Sequence, residues 1–242
     1  MQEEPPTTWR AILQRRVPYV ARLTDADRSE LFGKMQVFLA EKHFEGCGGL
    51  ELTDEIKVTI AAQACILLLH RESEFYPGLD SILVYPHAYV APVRQRRPDG
   101  TVFEGVQARL GESWVRGVVV LSWDDVVGGA ADVNDGHNVV FHEFAHQLDN
   151  ESGYGDGAPA LPRRSMYVAW ARVLSDEYAQ LRDAIHLQRP TVLDPYGATN
   201  PAEFFAVATE AFFEKPGPLK QLHPELYGQL QQFYAQDPAA LG

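Results

Sequence analysis

Apolar residues recur at helical intervals through the first part of the chain. In DADRSELFGKMQVFLAEKHF, Leu31, Met35, Phe38 and Leu39 fall on one side of a 3.6-residue helix. LTDEIKVTIAAQACILLLHR predicts a second helix, with Thr53 as its N-cap and acidic residues in its first turn. The pattern changes over residues 81 to 123. SILVYPHAYV, TVFEGVQARL and WVRGVVVLSW are rich in β-branched and aromatic residues, and Pro98-Asp99-Gly100 reads as a turn between the first two. Helical spacing returns from residue 138, broken by the Gly/Pro-rich run SGYGDGAPALP at 152 to 162. In the last helix, PELYGQLQQFY, residues Leu226, Tyr227, Leu230, Phe233 and Tyr234 share a side. With no internal repeat and no low-complexity linker, the expectation is one α+β domain over residues 1–242. It has a helical N-terminal part (1–75), a small mixed or antiparallel sheet, and a helical C-terminal part.

Within the returning helical pattern, VVFHEFAHQLDN combines packing with chemistry. Asn138 can cap a helix starting at Val139, and Phe141, Phe144, Ala145 and Leu148 form its buried face. His142 and His146 are four apart and so lie one turn above each other on a neighbouring stripe. Two imidazoles at that spacing can reach one cation. Glu143 lies about 100° further round, from 3.6 residues per turn, where its carboxylate can take a proton from metal-bound water without being a ligand. The competing reading is a helix with a satisfied histidine pair. A catalytic zinc site needs a third protein ligand and an open position. A third histidine on the same helix after a glycine is ruled out, because Asp149 and Ser152 occupy those positions.

NPAEFFAVATEAFFEKP supplies a carboxylate instead. Asn200 reads as the N-cap and Pro201 as the first helical residue. Glu203 and Glu210 are seven apart and share a face, while Phe204, Phe205, Ala208, Ala211 and Phe212 supply the packing. Glu203 can equally be a capping-box glutamate bonding back to Asn200. Helical geometry does not choose between Glu203 and Glu210. Asp149 shares the histidine stripe, either bonding a ligand imidazole or ending the helix in solvent.

Charge and composition narrow the partners. A formal charge of −12 and a pI near 5.1 exclude nucleic acid as a natural partner, which would need clustered positive charge. Arg94, Arg96 and Arg97 form a small basic cluster that can hold a carboxylate, with a solvated turn as the favoured reading. The longest apolar run, ACILLL, is far too short for a membrane span. Cys47 and Cys65 make no disulfide framework, and the N-terminus lacks a basic start followed by an apolar run. A cytoplasmic setting is therefore expected. His137 precedes the helix start, and the remaining histidines have no partner at ligand spacing.

Several ordered blocks carry a family resemblance: FLAEKHFEGCGGLELTDEIKVTIAAQACILLL, ILVYPHAYV, DGHNVVFHEFAHQLD, NPAEFFAVATEAFF and QFYAQDP. The chain resembles the Mlc titration factor A family of zinc-dependent peptidases, similar in its core to gluzincin metallopeptidases. That resemblance implies a zincin-like domain with its catalytic core within residues 81–242, and one zinc ion per chain. It implies His142, His146 and Glu203 as metal ligands, so Glu203 is preferred to Glu210. It implies Glu143 as general base and Tyr196, in LDPYGAT, as a residue assisting catalysis, against an ordinary packed loop tyrosine. The expected activity is peptide hydrolysis, with action on free N-termini as its narrower form. The alternative is a regulatory protein that sequesters a transcriptional repressor, with hydrolysis secondary. WVRGVVVLSW is expected either as the edge strand that accepts a peptide or as a central strand. The segment 152 to 162 reads as a surface loop, with covering of the cleft as the less favoured role.

Overall fold

The computed structural model describes residues 6–71, 75–96, 102–109, 111–112 and 117–241. The first helices are α1 (Thr7–Arg16) and α2 (Asp25–Glu41), with a 3-10 turn at Pro18–Arg22 between them. Then come β1 (His43–Gly46), α3 (Asp54–Ile66) and β2 (Ser81–Tyr85), followed by β3 (Tyr89–Arg96), β4 (Val102–Arg109), β5 (Gly111–Glu112) and β6 (Val118–Ser122). The rest is helical: α4 (Trp123–Ala131), α5 (Val139–Asn150), α6 (Met166–His186), a 3-10 turn at Pro195–Ala198, α7 (Pro201–Glu214), α8 (Pro216–Leu222) and α9 (Pro224–Tyr234).

The architecture is α+β, as expected. The main sheet has the order β1-β2-β6-β5, with β1, β2 and β6 parallel and β5 antiparallel to β6. A separate antiparallel hairpin joins β3 to β4. Burial alternates along β2, where Ile82 and Val84 point into the core. One apolar cluster runs from Ile12 in α1 to Tyr234 in α9 and joins the helical N-terminal part to the rest.

Several details differ from the sequence reading. The N-terminal part expected to be helical (1–75) is not wholly so, because His43–Gly46 forms β1. Its ends are tied to β2 by His43 N–H donating to Asp80 O and Cys47 N–H to Val84 O. Four residues are too few to show a period. SILVYPHAYV is not one strand: it breaks at Pro86, and its halves belong to different sheets. Helical structure returns before residue 138, at α4, where Ser122 caps the Asp125 N–H. Strand β6 is interior where Val120 and Leu121 pair with Glu112 and Gly111, so the central-strand reading holds there. The Pro98-Asp99-Gly100 turn and Arg97 lie outside the described residues. Among the described residues, no helix is long and apolar enough to cross a membrane.

Candidate metal centre

The site lies where α5 crosses α7. Helix α5 begins as read: the Asn138 side-chain oxygen accepts the Phe141 N–H at 3.0 Å. Its apolar face is fixed by aromatic contacts. Phe141 packs on Phe213 of α7 with ring centroids 5.2 Å apart, and Phe144 packs edge-on against Tyr76 at 4.9 Å. With that face buried, the neighbouring stripe carries His142 and His146 toward α7. Helix α7 starts with Pro201 at its first position and the Asn200 side chain accepting the Glu203 N–H at 3.0 Å. Phe204, Phe205, Ala208, Ala211 and Phe212 are buried, and the stripe of Glu203 and Glu210 meets the histidines. Asn200 caps as expected, while the Glu203 carboxylate turns to the two rings.

Three donor atoms converge. His142 Nε2 and His146 Nε2 are 3.2 Å apart, and Glu203 Oε2 lies 3.0 and 3.3 Å from them. These three residues form a possible metal-binding group among the described residues. A tetrahedral ion with bonds of about 2.0–2.1 Å separates its ligand atoms by about 3.3 Å, so the three atoms match one face of such a tetrahedron. Two nitrogens and one carboxylate oxygen also suit zinc chemically. The donor set therefore fits a zinc ion, the metal that the family resemblance implies.

The surroundings favour positive charge. Glu210 Oε1 lies 2.7 Å from Nδ1 of His142, so the ring is held from both sides by carboxylates. Burial pulls the His142 pKa down, yet the bonds to Glu203 and Glu210 and the charges of Glu210 and Glu143 overcome it and push it up to about 10. Burial likewise opposes ionisation of Glu203, and its two histidine contacts hold it down at about 2.

Glu143 is buried beside the triad, and its charge is felt by both His142 and Tyr196. Tyr196 stands on the 3-10 turn Pro195–Ala198, whose start is capped by Asp194 accepting the Tyr196 N–H at 2.6 Å. Its ring lies 6.0 Å from that of His142, and the residue is 52% exposed. Partial burial and the charges of Glu203 and Glu143 push its pKa up to about 12, so the hydroxyl keeps its proton at neutral pH.

Glu210 reaches the centre from its far side. Besides His142 Nδ1, it accepts the backbone N–H of Asn138 at 2.6 Å. Asp149 is fully buried but turned toward a loop, its Oδ2 accepting the Gly157 N–H at 2.8 Å. His137 faces Asp194 at 3.7 Å. The reading of individual residues missed Glu214, which is almost fully buried and takes a hydrogen bond from Asn138 Nδ2 at 3.0 Å. It stands four residues after Glu210 on the same stripe, a spacing that could have revealed it. Gln63 of α3 accepts a second hydrogen bond from Asn138 Nδ2 at 2.9 Å.

Comparison with known proteins places the chain among metallopeptidases. The profile of the glucose-regulated metallo-peptidase M90 family matches residues 1–235. An uncharacterized protein of Synechocystis sp. is 48% identical over 236 residues, covering 96% of this chain and 85% of the relative. Mlc titration factor A of Pectobacterium atrosepticum is 33% identical over 235 residues, with 96% and 87% covered. Mlc titration factor A of Serratia proteamaculans is 33% identical over 227 residues, with 93% and 86% covered. The class that the site and profile define is a metallopeptidase. The chain belongs to the glucose-regulated metallo-peptidase M90 family.

Proposed function

We propose that this chain is a zinc peptidase, with His142, His146 and Glu203 as metal ligands and Glu143 as general base. The convergence of two imidazole nitrogens and one carboxylate oxygen within 3.0–3.3 Å of one another carries this reading. Zinc held there supplies a Lewis acid for the scissile carbonyl and makes water acidic enough to ionise near neutral pH. Glu143 takes the proton of the attacking water and passes it to the departing amine. Its burial keeps that carboxylate from bulk solvent and from competing water. Tyr196 keeps its phenolic proton at neutral pH and donates it in a hydrogen bond to the developing oxyanion. Glu210 fixes the orientation of the His142 ring through Nδ1, leaving Nε2 toward the other donors.

The proposed substrates are short peptides, with free N-termini as the preferred class. A cytoplasmic setting suits the free cysteines, one fully buried, since thiols stay reduced there. A second reading comes from the relatives named Mlc titration factor A: a protein that binds a transcriptional repressor, with hydrolysis secondary. Metal analysis and peptidase assays on wild type, Glu143→Gln and Glu203→Ala, with N-terminally free and blocked peptides, test the first reading. The expected pattern is one zinc in wild type and in Glu143→Gln, little in Glu203→Ala, and turnover in wild type alone. Repressor capture that survives in Glu143→Gln and in zinc-stripped protein, with an inactive wild type, favours the second.

A further inference from the structure

The loop after α5 does not simply pass over the surface. At Gly157 it is held by three helices. The Gly157 N–H donates to Asp149 Oδ2 of α5 at 2.8 Å, and the Gly157 carbonyl accepts Trp170 Nε1 of α6 at 3.0 Å. Asp149 and Trp170 are almost wholly buried, so neither bond competes with bulk water. On its third side the glycine touches α7. Its φ is +82°, and a Cβ there would stand 2.5 Å from the Pro201 carbonyl oxygen and 2.9 Å from its carbon. Any side chain therefore meets both a backbone clash and an unfavourable conformation.

The two ends of this bridge lie close in sequence to the metal donors. Asp149 is three residues after His146, and Pro201 is two residues before Glu203. Trp170 also packs on Phe205, two residues beyond Glu203, with centroids 5.8 Å apart. The α5 helix and the first turn of α7 are thus spaced by one peptide unit, next to the point where they must present donors at 3.3 Å.

We propose that Gly157, held between Asp149, Trp170 and Pro201, is a positioning residue that sets the separation of His146 and Glu203 and so the affinity of the site for its metal. This rests on the metal-site reading above. An α5–α7 spacing forced open at Pro201 moves Glu203 away from the imidazoles without removing a ligand. Metal affinity then falls while the fold persists.

The test uses the full chain, stripped of metal and titrated with zinc against a chromophoric chelator, and then with cobalt to read its d–d spectrum. The variants are Gly157→Ala, Asp149→Ala, Asp149→Asn and Trp170→Phe, and thermal unfolding of each metal-free form is recorded alongside. Wild type should bind one zinc per chain. Gly157→Ala and Asp149→Ala should bind zinc at least tenfold more weakly, with altered cobalt spectra. Asp149→Asn, which keeps an acceptor for Gly157, should stay within about threefold of wild type, short of the roughly 10–100-fold loss that removing an outer-shell partner brings. Folded Gly157→Ala and Asp149→Ala with wild-type zinc affinity and cobalt spectrum overturn the proposal, even if both melt at lower temperature. If Gly157→Ala does not fold, Asp149→Ala and Trp170→Phe decide it by the same criterion. A wild type that binds no zinc overturns the site reading, and the clamp with it; wild-type binding with unchanged variants overturns the clamp alone.

Discussion

Glu210 and His142 meet at 2.7 Å, carboxylate to Nδ1, on the side of the ring opposite Glu203. Seven residues are about two helical turns, or roughly 10.5 Å along α7 at 1.5 Å per residue. One face of one helix thus brings a carboxylate to each nitrogen of the same imidazole. Glu210 also accepts the Asn138 N–H at the start of α5, which joins the ring's orientation to the helix that carries it.

That relationship predicts the effect of removing Glu210. Glu210→Ala leaves the three donor residues in place but frees the His142 ring. Zinc affinity should fall by about 10–100-fold, the usual range for losing such a partner. Competition titration of metal-free protein measures it. An affinity equal to wild type would show that packing alone fixes the ring.

Glu143→Gln replaces the base by an amide of the same shape. The variant should retain one zinc per chain and lose about 10²–10⁴-fold in turnover, the range general acid–base groups supply. Metal content and single-peptide kinetics on the same sample check it. Joint loss of zinc and activity would instead assign Glu143 a ligand role.

The helical stripes of α5 and α7 were legible because both helices obey a 3.6 period and carry their caps, Asn138 and Asn200, in sequence. The periodicity placed Glu203 and Glu210 on one face but could not rank them, since both do reach His142. The family resemblance supplied the choice. What stayed hidden depends on contacts between distant segments. Gln63 lies 75 residues from Asn138 and Glu214 lies 76 away, so no local pattern joins them. Asp149 shares the stripe of the two imidazoles, but its hydrogen bond from the Gly157 N–H comes from a loop that returns to it, which the stripe alone does not show. The short strand β1 and the break at Pro86 escaped because parallel pairing is set by crossovers and not by a local turn.

Tyr196→Phe removes one hydroxyl and keeps the ring beside His142. As an oxyanion donor it should cost on the order of 10²-fold in kcat, with KM changed little. The residue is 52% exposed, so the thermal midpoint should hardly move. Steady-state kinetics separates the two parameters. A rise in KM at constant kcat would place the hydroxyl in substrate binding.

Glu214 offers a pH test of the polar cluster under α5. Burial, aided by the charges of Asp135 and Glu210, pushes its pKa from 4.5 up to about 8 against the opposing hydrogen bond from Asn138. Its folded pKa is raised, so below about pH 4.5 the carboxyl is protonated in both states and costs nothing. Between about 4.5 and 8 the unfolded chain releases the proton that the folded one keeps, and stability falls as pH rises. Above about 8 both states are ionised and the loss is complete, on the order of a few kcal/mol. Glu214→Gln retains an oxygen for Asn138 but cannot ionise. In metal-free protein the His142 contribution is common to both chains and cancels in the difference. Urea unfolding from pH 5 to 8 should therefore show wild type losing stability relative to Glu214→Gln steadily across that window. Parallel stability curves would mean that the folded state ionises Glu214 as readily as the unfolded chain does, with Asn138 compensating its charge.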